Sequence, residues 1–281
     1  MIGAWPWSPI DTPLLTLVLL ALLAGHTWLA ARVGGVRLRQ RLFFLSGVLV
    51  MWAVLQTPLE TLARSYLDTA EMLQHMALMV CAPPLLLLGL TREMAAWLVQ
   101  RFPFIPYITQ PGIGLAVYAI FMAGWHLPSL YDAALGNSFL YAIERTSFVI
   151  GGLIYWWGLI RSTSSFCRRP LSEPQKLVML FFGTLPMMAV ALPLQFAGYP
   201  FYAPYARAAR VFVAFTAVID QTVAGALMMT VDMAVMGIDA LVVFFRWFNG
   251  EVTKDRRRAA DPLLDENADA REALEAYLRS H

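Results

Sequence analysis

Within the run Glu71-Met72-Leu73-Gln74-His75-Met76-Ala77-Leu78-Met79, a histidine lies inside a stretch that reads as membrane-crossing. Ionisable side chains at membrane depth are costly, so they face a protein interior and act there. Met72, His75, Met76 and Met79 fall at i−3, i, i+1 and i+4, which puts most of them on one helical face. Imidazole nitrogen with thioether sulfur is a donor set suited to copper(I). The chemistry this segment points to is the reversible holding of a soft metal ion inside a membrane.

The elements that must position these residues follow from composition. Of the 281 residues, 59% are hydrophobic and only 14% charged, against roughly 25% charged in soluble domains. This composition predicts an integral membrane protein. The net charge of +2 is uninformative by itself. The two cysteines, Cys81 in an apolar run and Cys167 in a basic loop, fall at different levels, so no disulfide is expected. No CxxC pair offers thiolate metal chemistry. No Lys or Arg precedes the first apolar run near Pro13, so that run reads as a retained span rather than a cleaved signal. The only two lysines, Lys176 and Lys254, lie in loops, which excludes a retinal Schiff base.

Seven runs reach or approach the roughly 20 residues that a bilayer core requires: 13–33, 42–63, 70–90, 111–128, 138–160, 177–197 and 211–247. The expected fold is an all-α integral membrane protein, a seven-transmembrane-helix bundle over residues 1–250 with a charged cytoplasmic tail at 251–281. Basic residues set its orientation. Arg32, Arg37, Arg39, Arg41, Arg92, Arg101, Arg161, Arg168, Arg169 and Lys176 share one side with the tail residues Arg246, Lys254, Arg256, Arg257 and Arg258. The opposite loops hold Asp11, Glu60, Arg64, Asp68, Asp132, Arg207 and Arg210. The positive-inside rule then places the N-terminus outside and the C-terminus in the cytoplasm. Thr91 is an N-cap for a short amphipathic stretch ending before Pro103, expected to lie in the interface plane.

With that orientation, scattered polar residues fall at one level. His75 lies about one turn into the third span, and His126, with Met122 one turn deeper, lies at the outer end of the fourth. Glu144 and Arg145 occupy the outer third of the fifth, and Asp220 with Gln221 the outer part of the seventh. Each has a structural alternative. His75 can bond a carbonyl, His126 can sit beside Trp125 in the aromatic belt, and single methionines fill core gaps. Asp220 is harder to explain so, because an acid in a span needs a partner. Pro83-Pro84 removes two donors, leaving the carbonyls of Met79 and Val80 without helical partners, and predicts a kink.

These residues carry a resemblance. The segments Thr57-Pro58-Leu59-Glu60, Met72-Leu73-Gln74-His75-Met76, Ala82-Pro83-Pro84-Leu85 with Gly89, Trp125-His126-Leu127-Pro128-Ser129-Leu130-Tyr131-Asp132-Ala133-Ala134-Leu135, Gly151-Gly152 with Trp156-Trp157, and Asp220-Gln221 with Gly225 resemble, in order, the membrane-integral CtaG family of caa3-type cytochrome c oxidase assembly factors. The resemblance spans roughly residues 55–247, and its Trp-His-x-Pro-x-Leu-Tyr-Asp stretch is the most specific part. It implies a multi-pass protein of the bacterial inner membrane that supports maturation of a haem–copper oxidase through copper delivery. The family commonly has histidine where this chain has Glu71, an acid–histidine pair at Glu144-Arg145, and a further histidine near Tyr141.

The expected function is therefore an assembly factor that holds copper(I) transiently on the outer side. Its metal candidates are His75 with Met72 and Met79, His126 with Met122, and Asp220 as an acid orienting an imidazole. The expected partners are the lipid bilayer and a haem–copper oxidase subunit or another copper chaperone, with no nucleic acid. The alternatives are a copper transporter, which would place a site near the midplane, and a metal-free scaffold for an oxidase subunit. No nucleophile–base set, phosphate loop or full metal triad suggests an enzyme.

Overall fold

The computed structural model describes residues 13–212 and 214–280, all in helices, turns and loops, with no strand among them. Asp11, used above for orientation, lies outside the described residues, as do the side chains of Arg257 and Arg258. In chain order the helices are α1 Pro13–Arg32, α2 Leu38–Leu55, α3 Leu59–Ser65, α4 Asp68–Met76, a π-helical turn Ala77–Cys81, and α5 Ala82–Leu88. There follow α6 Arg92–Arg101, α7 Ile105–Ile108, α8 Pro111–Trp125, α9 Pro128–Gly136, α10 Ser138–Ile160, α11 Glu173–Phe196, α12 Ala203–Arg207 and α13 Ala217–Ser280.

Among the described residues, five helices are long and apolar enough to cross a membrane: α1, α2, the continuous Asp68–Leu88 helix, α11 and the first part of α13. The count is six if α8 and α9, bent by 74°, form one broken span. The bundle's outer surface is apolar: Leu14, Leu17, Phe181, Phe182, Ile238 and Phe245 are all exposed. Contiguous exposed apolar surface on this scale is what a lipid-facing wall presents. The protein is a multi-pass membrane protein.

The second span is shorter than the expected 42–63. Pro58 disfavours helix at Thr57, so α2 ends at Leu55 and α3 begins separately at Leu59. The run expected as the seventh span begins at Ala217 rather than 211 and continues as one helix to Ser280. At about 1.5 Å per residue it is far longer than a bilayer is thick. Thr91 caps α6 as its side chain suggests, its Oγ1 accepting from the Met94 N–H at 3.1 Å. Cys81 and Cys167 are both free thiols.

The α4–π–α5 helix is the axis of the fold, packed against α2, α10 and α13, while α11 lies along α13 and α8 along α10. The proline pair does not break this helix. It widens one turn into a π-helix at Ala77–Cys81, a recognised way of absorbing lost i→i−4 bonds. The freed carbonyl of Met79 packs onto α10 at Gly152, where an added Cβ would meet that oxygen at 2.5 Å and Pro83 Cγ at 2.6 Å. Gly225 plays the same part between α13 and α11, where a Cβ would meet the Ala191 carbonyl at 2.6 Å. Small residues at helix crossings let backbones approach in membranes, where packing rather than hydrophobicity drives association.

Candidate metal centre

His75 and His126 meet inside the bundle. Leu127, preceding Pro128, is held extended (φ −64°, ψ 126°), so α8 stops at Trp125 and the chain turns sharply into α9. His126 occupies that corner, and the corner directs it at α4. His75 Nδ1 stands 3.4 Å from His126 Nε2, and the rings are edge to face at 5.2 Å. Met72, one turn above His75, places its sulfur 3.3 Å from the same His126 Nε2. His75 and Met72 are wholly buried, and His126 is 6% exposed.

The far nitrogen of each imidazole decides its tautomer. His126 Nδ1 lies 2.6 Å from the Met122 carbonyl, which can only accept, so Nδ1 carries the hydrogen and Nε2 presents a lone pair. His75 Nε2 lies 3.2 Å from Glu71 Oε1 and 3.4 Å from Glu144 Oε1. A carboxylate accepts that N–H, and His75 Nδ1 faces the His126 lone pair. Two imidazole nitrogens and one thioether thus converge. Two nitrogens each about 2.0 Å from a metal and 120° apart would stand about 3.5 Å from one another, close to the spacing seen.

A polar chain runs outward from this point. Tyr141 Oη donates to Glu71 Oε2 at 2.6 Å. Arg145 donates in turn to Tyr141 Oη, to Gln74 Oε1 at 2.7 Å and to both carboxylate oxygens of Glu60. Glu144 and Arg145, adjacent on α10, therefore turn to different helices. Glu144 joins the histidines and Arg145 joins α3.

Above the histidines sits an aromatic cover. Tyr131 of α9 stacks on Tyr202 at 3.7 Å. Tyr202 Oη donates to the His126 carbonyl at 3.1 Å, and Tyr131 Oη donates to Asp68 Oδ1 at 3.1 Å.

The remaining sequence candidates lie elsewhere. Asp220 is turned to the start of α4, accepting from the Asp68 N–H at 2.7 Å, the Thr69 N–H at 3.0 Å and Thr69 Oγ1 at 2.6 Å. It caps a helix N-terminus, where negative charge is favoured, instead of facing an imidazole. Met122 contributes its carbonyl to His126, and its side chain is buried. Met79 lies one turn below His75 with its methyl end toward Gly151 on α10. Gln221 ties down the loop before α12, accepting from the Phe201 N–H at 2.6 Å.

The acids that do face an imidazole are Glu71 and Glu144. Glu71, Glu144 and His75 form the one cluster of potential ligands of this kind among the described residues. The spacing of Glu71, four residues before His75, was the signal for the first. Glu144 comes from another helix and carried no local sign.

The family model described as cytochrome c oxidase caa3 assembly factor matches residues 20–250, reaching further toward the N-terminus than the motif segments. No curated protein and no solved structure matches the chain. His75, His126, the Gly151-Gly152 pair and Asp220 all fall within the matched stretch, and the chain belongs to the family of cytochrome c oxidase caa3 assembly factors.

Proposed function

We propose that this protein holds copper(I) between His75, His126 and Met72 and passes it to a subunit of a haem–copper oxidase during assembly. The observation that carries the proposal is the convergence of two imidazole nitrogens and one thioether. Each imidazole is fixed by a hydrogen-bond acceptor on its other nitrogen. Such acceptors orient metal-binding histidines and raise their basicity. Three donors, two nitrogen and one sulfur, suit a soft monovalent ion held for exchange. Met79, Met122 and Asp220 support this centre through packing, a carbonyl and a helix cap.

We place the protein in the bacterial inner membrane with seven spans. The sixth and seventh in this count come from the α8–α9 pair and from α10, which carries Glu144 and Arg145 inside the bundle. The N-terminus is outside and the C-terminus cytoplasmic, by the distribution of arginines. We assign residues 1–250 to the membrane unit and 251–281 to a charged cytoplasmic tail. The centre then lies in the outer half, beneath the Tyr131–Tyr202 cover. The role is that of a carrier and assembly partner, with no catalytic step.

Deleting the protein is expected to lower the copper content and activity of the oxidase, with recovery in excess copper. The H126A variant is expected to behave like the deletion. Unchanged oxidase copper in the deletion strain would overturn the proposal. A metal-free scaffold is the second reading, favoured by one observation: His75 already lies within hydrogen-bond reach of Glu71, Glu144 and His126 with no metal at all.

A further inference from the structure

Toward the arginine-rich end of the bundle lies an apolar cavity that the histidine centre does not use. It holds about 460 Å3, within the range of small-molecule sites. Its walls come from α1, α2, α5, α6, α7 and α10. Leu22 and Leu29 of α1 and Ile150 and Trp157 of α10 all line it, so it runs about 10 Å along the helices at 1.5 Å per residue. Leu22 and Ile150 are also 36% and 46% exposed, so the cavity opens sideways through the apolar outer wall, toward lipid.

Its lining suits hydrocarbon. Apart from His26, Thr109 and Trp157, the lining side chains are all leucine, isoleucine or phenylalanine. Those three have their hydrogens committed to backbone carbonyls. His26 Nε2 lies 3.1 Å from the Gly89 oxygen, Thr109 Oγ1 donates to Ile105 at 2.7 Å, and Trp157 Nε1 donates to Phe166 at 3.0 Å. No donor is left in the walls for a carbonyl head group such as a quinone's, so the occupant that fits is a hydrocarbon chain. Lipid tails are as apolar as leucine, and a tail gains only packing by entering. Selection must therefore come from a head group at the mouth.

The basic end can supply it. The segments that border the cavity there, 32–44, 89–109 and 161–172, carry nine arginines and one acid, Glu93. Arg161 donates to the carbonyls of two lining residues, Leu87 at 2.9 Å and Leu90 at 2.5 Å. Its Nε is buried with no hydrogen-bond partner among the described residues. A guanidinium cannot shed its proton, so that donor stays charged. The Arg32 guanidinium lies 4.5 Å from the ring of Trp28, next to lining Leu29, and that of Arg168 lies 5.0 Å from Tyr107, next to lining Ile108. Planar guanidinium groups match the oxygens of a phosphate.

We propose that this cavity binds an anionic phospholipid of the cytoplasmic leaflet, with an acyl chain between α1 and α10 and the phosphate among Arg32, Arg161 and Arg168. Basic pockets between spans on the cytoplasmic side suit such head groups. At about 10 Å the cavity covers a third of the roughly 30 Å hydrocarbon thickness, too little to seat a partner's spanning helix but within one leaflet's reach. The choice of leaflet rests on the orientation proposed above; the binding itself depends neither on that nor on copper.

The test is native mass spectrometry of the purified full-length protein, equilibrated in detergent with phosphatidylglycerol and phosphatidylcholine of identical chains. Wild type is expected to retain phosphatidylglycerol in preference. Each arginine near a head group contributes about fivefold. Arg32→Gln/Arg168→Gln, at two exposed side chains, should therefore cut that preference roughly 5- to 25-fold. Leu153→Trp fills the cavity and should lose both lipids. Ile154→Phe makes a smaller addition to the same wall and replaces it if thermal unfolding shows the first variant misfolded. Equal retention of the two lipids by wild type, or retention of neither, would overturn the proposal. So would a preference unmoved by the arginine changes. Phosphatidylglycerol held as tightly after the cavity is filled would also overturn it, since the lipid would then lie on the outer surface.

Discussion

His75 Nδ1 and His126 Nε2, 51 residues apart in sequence, stand 3.4 Å from one another, with the Met72 sulfur 3.3 Å from the second nitrogen. Neither nitrogen is turned to a backbone carbonyl, as a structural histidine in a core would be. The carbonyl is spent on the far side of His126 and a carboxylate on the far side of His75. That division leaves His75 Nδ1, His126 Nε2 and the Met72 sulfur grouped on the near side. Met72→Leu keeps the volume and removes the sulfur. Copper(I) affinity is expected to fall at least about tenfold, or about 1.4 kcal/mol, with no change in thermal unfolding.

Glu71→Gln keeps an acceptor for the His75 N–H but removes its charge. Copper affinity is expected to drop roughly 10- to 100-fold, as for other partners of metal-binding histidines. With the amide oxygen on His75 Nε2, the amide NH2 faces the Tyr141 hydroxyl, which then accepts instead of donating. A chelator titration checks this, and an unchanged affinity would remove Glu71 from the account.

Tyr202→Phe deletes the hydrogen bond from the aromatic cover to the His126 carbonyl. A neutral hydrogen bond contributes roughly 0.5–1.5 kcal/mol, so copper release to a chelator should speed up about 2- to 10-fold. Stopped-flow transfer kinetics measure it.

Much of this arrangement was legible in the sequence, and what was missed has physical causes. The spacing of Met72 and His75 on one helical face, and the charge-based orientation that puts His126 at the outer end of the fourth span, brought both imidazoles to one level. Asp220 was read as an imidazole partner because an acid in a span needs one. Its partner proved to be the exposed amides at the start of α4, and a helix terminus leaves no side-chain signature in a distant segment. The pairing of Glu144 with His75 and of Arg145 with Glu60 depends on the rotation of α10 about its axis, which tertiary packing sets. The proline pair announced a disturbance at residues 79–80, but whether a helix kinks or widens depends on what lies beside it. Gly152 lets α10 come close enough to meet the freed carbonyl.

Gly152→Ala would push a methyl against the Met79 carbonyl and Pro83. Overpacking of this kind costs typically about 1–3 kcal/mol, expected as a lowered unfolding temperature in detergent. Copper affinity should fall with it, since the π-turn sits directly below His75.

Asp220→Ala removes the acceptor that serves the first two amides of α4. A lost N-cap costs about 0.5–2 kcal/mol. Asp220→Asn retains a capping oxygen and is expected to be milder. Thermal unfolding of both variants checks the order; a larger loss in the asparagine variant would contradict a capping role.

The most direct test of the outer centre is copper(I) stoichiometry measured by chelator competition on wild type beside His75→Ala/His126→Ala. The account predicts that the double variant, folded as wild type, binds one equivalent fewer. An unchanged stoichiometry and affinity would contradict it, and the histidines would then belong to the packing of a metal-free scaffold.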